Sequence, residues 1–95
     1  MDLEQKTAHG IRAAEVLQSA VYIEAYELIK TELTTQWQQS PARDAEGREK
    51  LWLMLTMLAK VQATMERAIE TGKLAQHQLG HQRTQQEKRA EYLGL

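Results

Sequence analysis

His77 and His81 stand four residues apart, the spacing that turns two imidazoles toward one face of a helix and can hold a metal ion. Nothing nearby extends the pair. The chain has no Cys, no Asp or Glu lies within five residues of either histidine, and the Glu that follows the first His in zinc peptidases is missing. Both therefore read as solvent-exposed polar residues, as does His9 beside Gly10. Glu24, Glu27 and Glu32 supply carboxylates on a helical segment, yet a di-metal bundle also needs inward Glu-x-x-His motifs, and the sequence has none. They read as a solvated helix face. Ser19 and Ser40 lack the context of a nucleophile elbow, and the glycines never gather into a phosphate loop. No catalytic, cofactor-binding or metal site is expected, and no enzyme.

Two other residue classes bear on binding. Residues 73–95 carry four basic groups, Lys73, Arg83, Lys88 and Arg89, against two acidic ones, Glu87 and Glu91. These cations can touch phosphates or an acidic partner surface, but their electrostatic footprint is weak. No helix-turn-helix pattern with a short recognition helix accompanies them. The aromatic pairs Tyr22 with Tyr26 and Trp37 with Trp52 can stack on bases or ligands, but at helical spacing on apolar faces they read first as packing residues. Both tryptophans fall toward the loop between two helices, as an anchor there or against a neighbouring subunit. Met54, Met57 and Met65 read as adaptable core or interface residues.

The elements that would position these groups follow from the breakers. The stretch Ser40-Pro41-Ala42-Arg43-Asp44-Ala45-Glu46-Gly47 is the one convincing turn, and no two-residue alternation between turn signals supports a sheet. The fold class is all-α. A first helix is expected over 14–39, with Leu17, Val21, Ala25, Leu28, Ile29, Leu33 and Trp37 along one face, after a lead segment 1–13 weakened at Gly10. Following the turn 40–47, a second helix covers 44–72 with Asp44 as N-cap. Its heptad runs Leu51, Met54, Leu58, Val61, Met65, Ala68, Gly72, Ala75 and Leu79. The polar, mildly basic tail 73–95 either continues this helix or forms a third. A short connection makes the two long helices an antiparallel hairpin. In a register where paired residue numbers sum to about 83, Tyr22 lies opposite Val61, Glu24 near Lys60 and Arg12 near Glu70.

With 95 residues, the chain has room for a single helical domain. It has no Cys and a formal net charge of −1, so a disulfide scaffold, a zinc-cysteine module and a strongly basic nucleic-acid arm are excluded. The N-terminus lacks the basic and apolar regions of a signal peptide, and no apolar run is long enough to span a membrane. Residues 51–58 are apolar in all directions around the helix except at Thr56, more than one partner helix can cover. A homo-oligomer is therefore expected, with Leu51, Trp52, Leu53, Met54, Leu55, Met57 and Leu58 at its interface.

The stretch Trp37–Glu49, WQQSPARDAEGRE, with LWLML immediately after it and Glu70-Thr71-Gly72-Lys73-Leu74-Ala75 later, resembles a loose group of short helical proteins encoded by tailed bacteriophages. The likeness covers residues 14–79 and leaves the tail unmatched. It implies a phage origin, a place in the host cytoplasm or the virion, and a structural or assembly role, with no catalytic residue to carry over. Two other readings stand beside it. One is a DNA-packaging accessory similar in role to a small terminase subunit, presenting the basic tails on a ring. The other is an inhibitor or adaptor that binds a host protein.

Overall fold

The computed structural model describes residues 1–94 and contains three helices, α1 (Leu3–Gln18), α2 (Ala20–Gln39) and α3 (Ala45–Tyr92). No strand occurs among the described residues, so the all-α class stands. α1 begins with a reciprocal capping box. The Gln5 backbone N–H donates to Asp2 Oδ1 at 2.7 Å, and the Asp2 N–H donates to Gln5 Oε1 at 2.9 Å. Two otherwise orphaned donors are thereby satisfied, and Glu4 in the first turn suits the positive helix end. The expected lead segment is thus helical from Leu3.

The helix expected over 14–39 is interrupted. Ser19 takes extended geometry (φ −67°, ψ 127°), and its hydroxyl accepts from the Tyr22 N–H at 3.5 Å as the N-cap of α2. At the far end Ser40 is again extended, as a residue before proline prefers. A turn closed by the Asp44 N–H donating to the Pro41 carbonyl leads into α3. Asp44 caps α3 as expected, its Oδ1 accepting from the Gly47 N–H at 3.1 Å. From there α3 runs unbroken through Tyr92, so the tail is neither a loop nor a third helix but more of the same element. Its Gln, Lys, Arg, Glu and Ala residues are good helix formers, and Gly80 alone weakens them.

The chain forms two compact units, one of Glu15–Met65 and one of Met1–Ala14 with Glu66 onward. In the second of these, α1 and α3 meet through small residues: Gly10, Ala13, Gly72 and Ala75 are buried. A Cβ placed on Gly10 would lie 2.9 Å from both the Ala68 carbonyl oxygen and the Gly72 Cα. One placed on Gly72 would lie 2.9 Å from the Gly10 Cα and 3.0 Å from the Lys6 carbonyl oxygen. Backbone therefore touches backbone here, which only glycine allows. The glycine that marked a weak helix start and the one at which the heptad thinned are the two halves of one crossing. Arg12 and Glu70, expected as a pair in this unit, form no ion pair among the described residues.

In the unit Glu15–Met65, α2 packs along the first part of α3. The half-buried residues of α3 here include Leu51, Leu55, Leu58, Gln62 and Met65, and those of α2 include Tyr22, Tyr26 and Leu33. Leu55 and Gln62 thus take the seam positions assigned by periodicity to Met54 and Val61, which are exposed. The Tyr22 hydroxyl donates to Gln62 Oε1 at 3.1 Å, one position beyond the expected Val61. Tyr22 and Tyr26 stack with ring centroids 6.1 Å apart. The expected pairing of Glu24 with Lys60 is not formed; Lys50 pairs with Glu46 at 3.6 Å, within one helix. Such an exposed pair contributes little.

Candidate functional site

Seven residues of α3 were expected at an interface, and the structure divides them into three groups. At about 100° per residue, consecutive positions cannot share a side of a helix. Leu51, Leu55 and Leu58 are half-buried against α2. Leu53, Met54 and Met57 are exposed on one flank of that seam, where with Leu58 and Val61 of α3 and Ile29 and Leu33 of α2 they line a continuous open groove. Trp52, 57% exposed, falls on the other flank by helical phase.

The groove flank extends along α2. Val21, Ala25, Leu28 and Ile29 follow the i, i+4, i+7, i+8 pattern of one helical stripe, and all four are exposed, Val21 at 77%. The apolar face expected to form the core of a hairpin is therefore mostly open, and Tyr22 and Tyr26 occupy the covered positions instead. No charged side chain lines the groove. The opposite flank differs in chemistry: Leu17, Tyr22, Ile23, Tyr26, Glu27, Lys30 and Gln62 border a mixed hollow there. The groove thus offers apolar surface alone, while the other flank mixes hydrogen-bonding groups with the exposed Ile23 and Trp52.

At the loop end, Arg48 holds the close of α2 in place. Its guanidinium lies 4.1 Å from the Trp37 ring centroid. One guanidinium nitrogen donates to the Trp37 carbonyl at 3.2 Å, the Ser40 carbonyl at 3.3 Å and the Ser40 hydroxyl at 2.8 Å. A cation here joins the Ser40 N–H and hydroxyl, which already donate to the Trp37 carbonyl, and meets the negative end of the helix dipole. Trp37 is accordingly an anchor of the loop end. Sequence reasoning passed over Arg48, whose partners stand eight and eleven positions away across a turn, and it passed over the Asp2–Gln5 capping box, which the D-x-x-Q spacing does signal.

The basic residues of the tail do not converge. Lys73, Arg83, Lys88 and Arg89 are all exposed. On a helix they lie roughly 0, 280, 60 and 160° around the axis, so they make no stripe that follows a phosphate backbone. His77 and His81 share a shallow, open depression with Lys73, Gln76, Gly80 and Thr84. Among the described residues no group of three or more His, Asp or Glu side chains is placed to hold a metal ion. No helix among them is long and apolar enough to cross a membrane. Compared with family models, curated proteins and solved structures, the chain matches none.

Proposed function

We propose that this chain is a non-enzymatic helical protein that works by assembling with copies of itself, as a structural or assembly component of a tailed-phage particle. In this reading α2 and the first half of α3 are the arms of an antiparallel hairpin, and hairpins associate into a bundle. The phage setting rests on the sequence likeness of residues 14–79 alone.

The observation that carries self-assembly is the state of the apolar side chains. Among the described residues the buried hydrophobic ones are Ala13 and Ala75, and no large side chain is fully buried. The chain exposes 7791 Å². A chain that stays helical with so little covered needs a further surface to bury what it leaves open.

Native molar mass by light scattering, at two protein concentrations and in low and high salt, tests this reading. A discrete oligomer that persists in high salt is expected, because apolar contact is not screened by ions. A monomer under all four conditions refutes self-assembly.

A further inference from the structure

We infer that His77 and His81 are the two protein ligands of a site for a late first-row divalent cation, of the Zn²⁺ and Cu²⁺ kind, and that the bound ion fastens the turn of α3 that contains Gly80. The site lies within one chain and needs neither a second copy nor the apolar groove.

Three observations bring the ligands together. α3 is unbroken helix from Ala45 to Tyr92, so residues four apart stand one above the other with Cβ atoms about 5–6 Å apart. Both imidazoles line one open depression, and Gly80 borders it without a side chain: a Cβ placed there would meet nothing within 4 Å. Among the described residues neither ring is held by a carboxylate or a hydrogen bond, so in its neutral form each offers a ring nitrogen to a cation.

The donor set selects the cation. Imidazole nitrogen suits zinc, copper and nickel, whereas magnesium and calcium take oxygen. Among the described residues no third His, Asp or Glu joins the pair, so water fills the remaining positions and the ion exchanges, unlike one in a closed four-ligand site. Lys73, one turn earlier in the same depression, adds a like charge, but it is exposed and its flexible stem carries the ammonium into water.

What the ion does depends on where the pair sits. Residues 80–89 of α3 are exposed without exception, so packing does little to hold the helix there. A helix without packing is marginal in water, and Gly80 is its poorest former. An ion bridging His77 and His81 spans that glycine at a spacing the unwound chain does not hold, and so favours the helical state by mass action.

Calorimetric titration of the full-length chain with zinc, copper(II) and magnesium chlorides, with amide hydrogen exchange followed with and without zinc, tests this. One zinc or copper ion per chain is expected, copper the tighter, and no magnesium. Losing one ring loses the chelate, so His77→Ala and His81→Ala should each weaken zinc about tenfold or more, while His9→Ala leaves it unchanged. The double variant His81→Gln/Gln82→His keeps the number of histidines but moves the second ring off the shared face, and should weaken zinc as much as His81→Ala. Zinc should slow exchange at residues 81–89 severalfold in wild type, but not in the three variants that lose the pair. No zinc binding, binding that survives in the relocated variant, or one ion per two chains overturns the site. Binding without slower exchange overturns the fastening of the Gly80 turn.

Discussion

Gly10→Ala should destabilise the protein although alanine is the better helix former. The new methyl carbon would stand 2.9 Å from the Ala68 carbonyl oxygen and 2.9 Å from the Gly72 Cα, both backbone atoms that no rotamer change can move. α1 and α3 must separate to admit it, and overpacking of this kind costs about 1–3 kcal/mol. The alanine returns about 0.5–1 kcal/mol through helix propensity, leaving a net loss of up to about 2.5 kcal/mol. At about 4–8 °C per kcal/mol for a domain of this size, the melting temperature should fall by several degrees. Gly72→Ala meets the mirror-image obstacle and should behave alike. Gly80 supplies the control. Nothing lies within 4 Å of a Cβ placed there, so Gly80→Ala keeps the propensity gain and should raise helicity or melting temperature. Once one methyl has parted the helices, the second costs less, so the Gly10→Ala/Gly72→Ala double variant should lose less than the two single losses added. Thermal unfolding by circular dichroism at one fixed concentration reads all four. If Gly10→Ala and Gly72→Ala stabilise as Gly80→Ala does, the close approach of the two backbones is refuted.

Asp44→Ala removes the acceptor for the Gly47 N–H and should cost about 1 kcal/mol, seen as a lower melting temperature and greater fraying at the start of α3. Arg48→Lys keeps the charge but cannot reproduce the planar stack on Trp37 with its three acceptors; it should destabilise and shift Trp37 fluorescence, best read in a Trp52→Tyr background. An unchanged spectrum would show that the stack does not persist in solution. Deleting residues 81–95 should leave the oligomer intact, since the residues expected at the interface lie between Leu51 and Leu58. Dissociation on truncation would place the interface on the tail.

The helical class was legible because breakers are few and alternation is absent, and the α3 start was legible because Asp44 directly precedes a run of helix formers. The break at Ser19 was not. No Gly or Pro marks it, and the residue three positions on is Tyr22 rather than the Glu or Gln of a capping box. The choice of seam was hidden for a different reason. In Leu51-Trp52-Leu53-Met54-Leu55-Thr56-Met57-Leu58 nearly every stripe is apolar, so a heptad through Met54 and Val61 scores as well as one through Leu55 and Gln62. The partner helix decides between them, and it does so with a polar contact, Tyr22 to Gln62, that a search for apolar periodicity passes over.

The two units use their residues in opposite ways. Where α1 crosses α3, the covered positions are Gly10, Ala13, Gly72 and Ala75, so closure there comes from backbones approaching rather than from large side chains meeting. The contact itself covers only small residues, and Ile11 and Leu74 beside it stay exposed. Where α2 meets α3, the side chains are large, and one flank of them stays open. Large apolar side chains are also exposed elsewhere, Ile11 and Leu74 in the unit of α1 and the end of α3, and Ile23 and Trp52 on the opposite flank of α2 and α3. Open groups spread in this way permit association in more than one register, and the native molar mass of Trp52→Glu beside that of Met57→Glu tells which flank association uses.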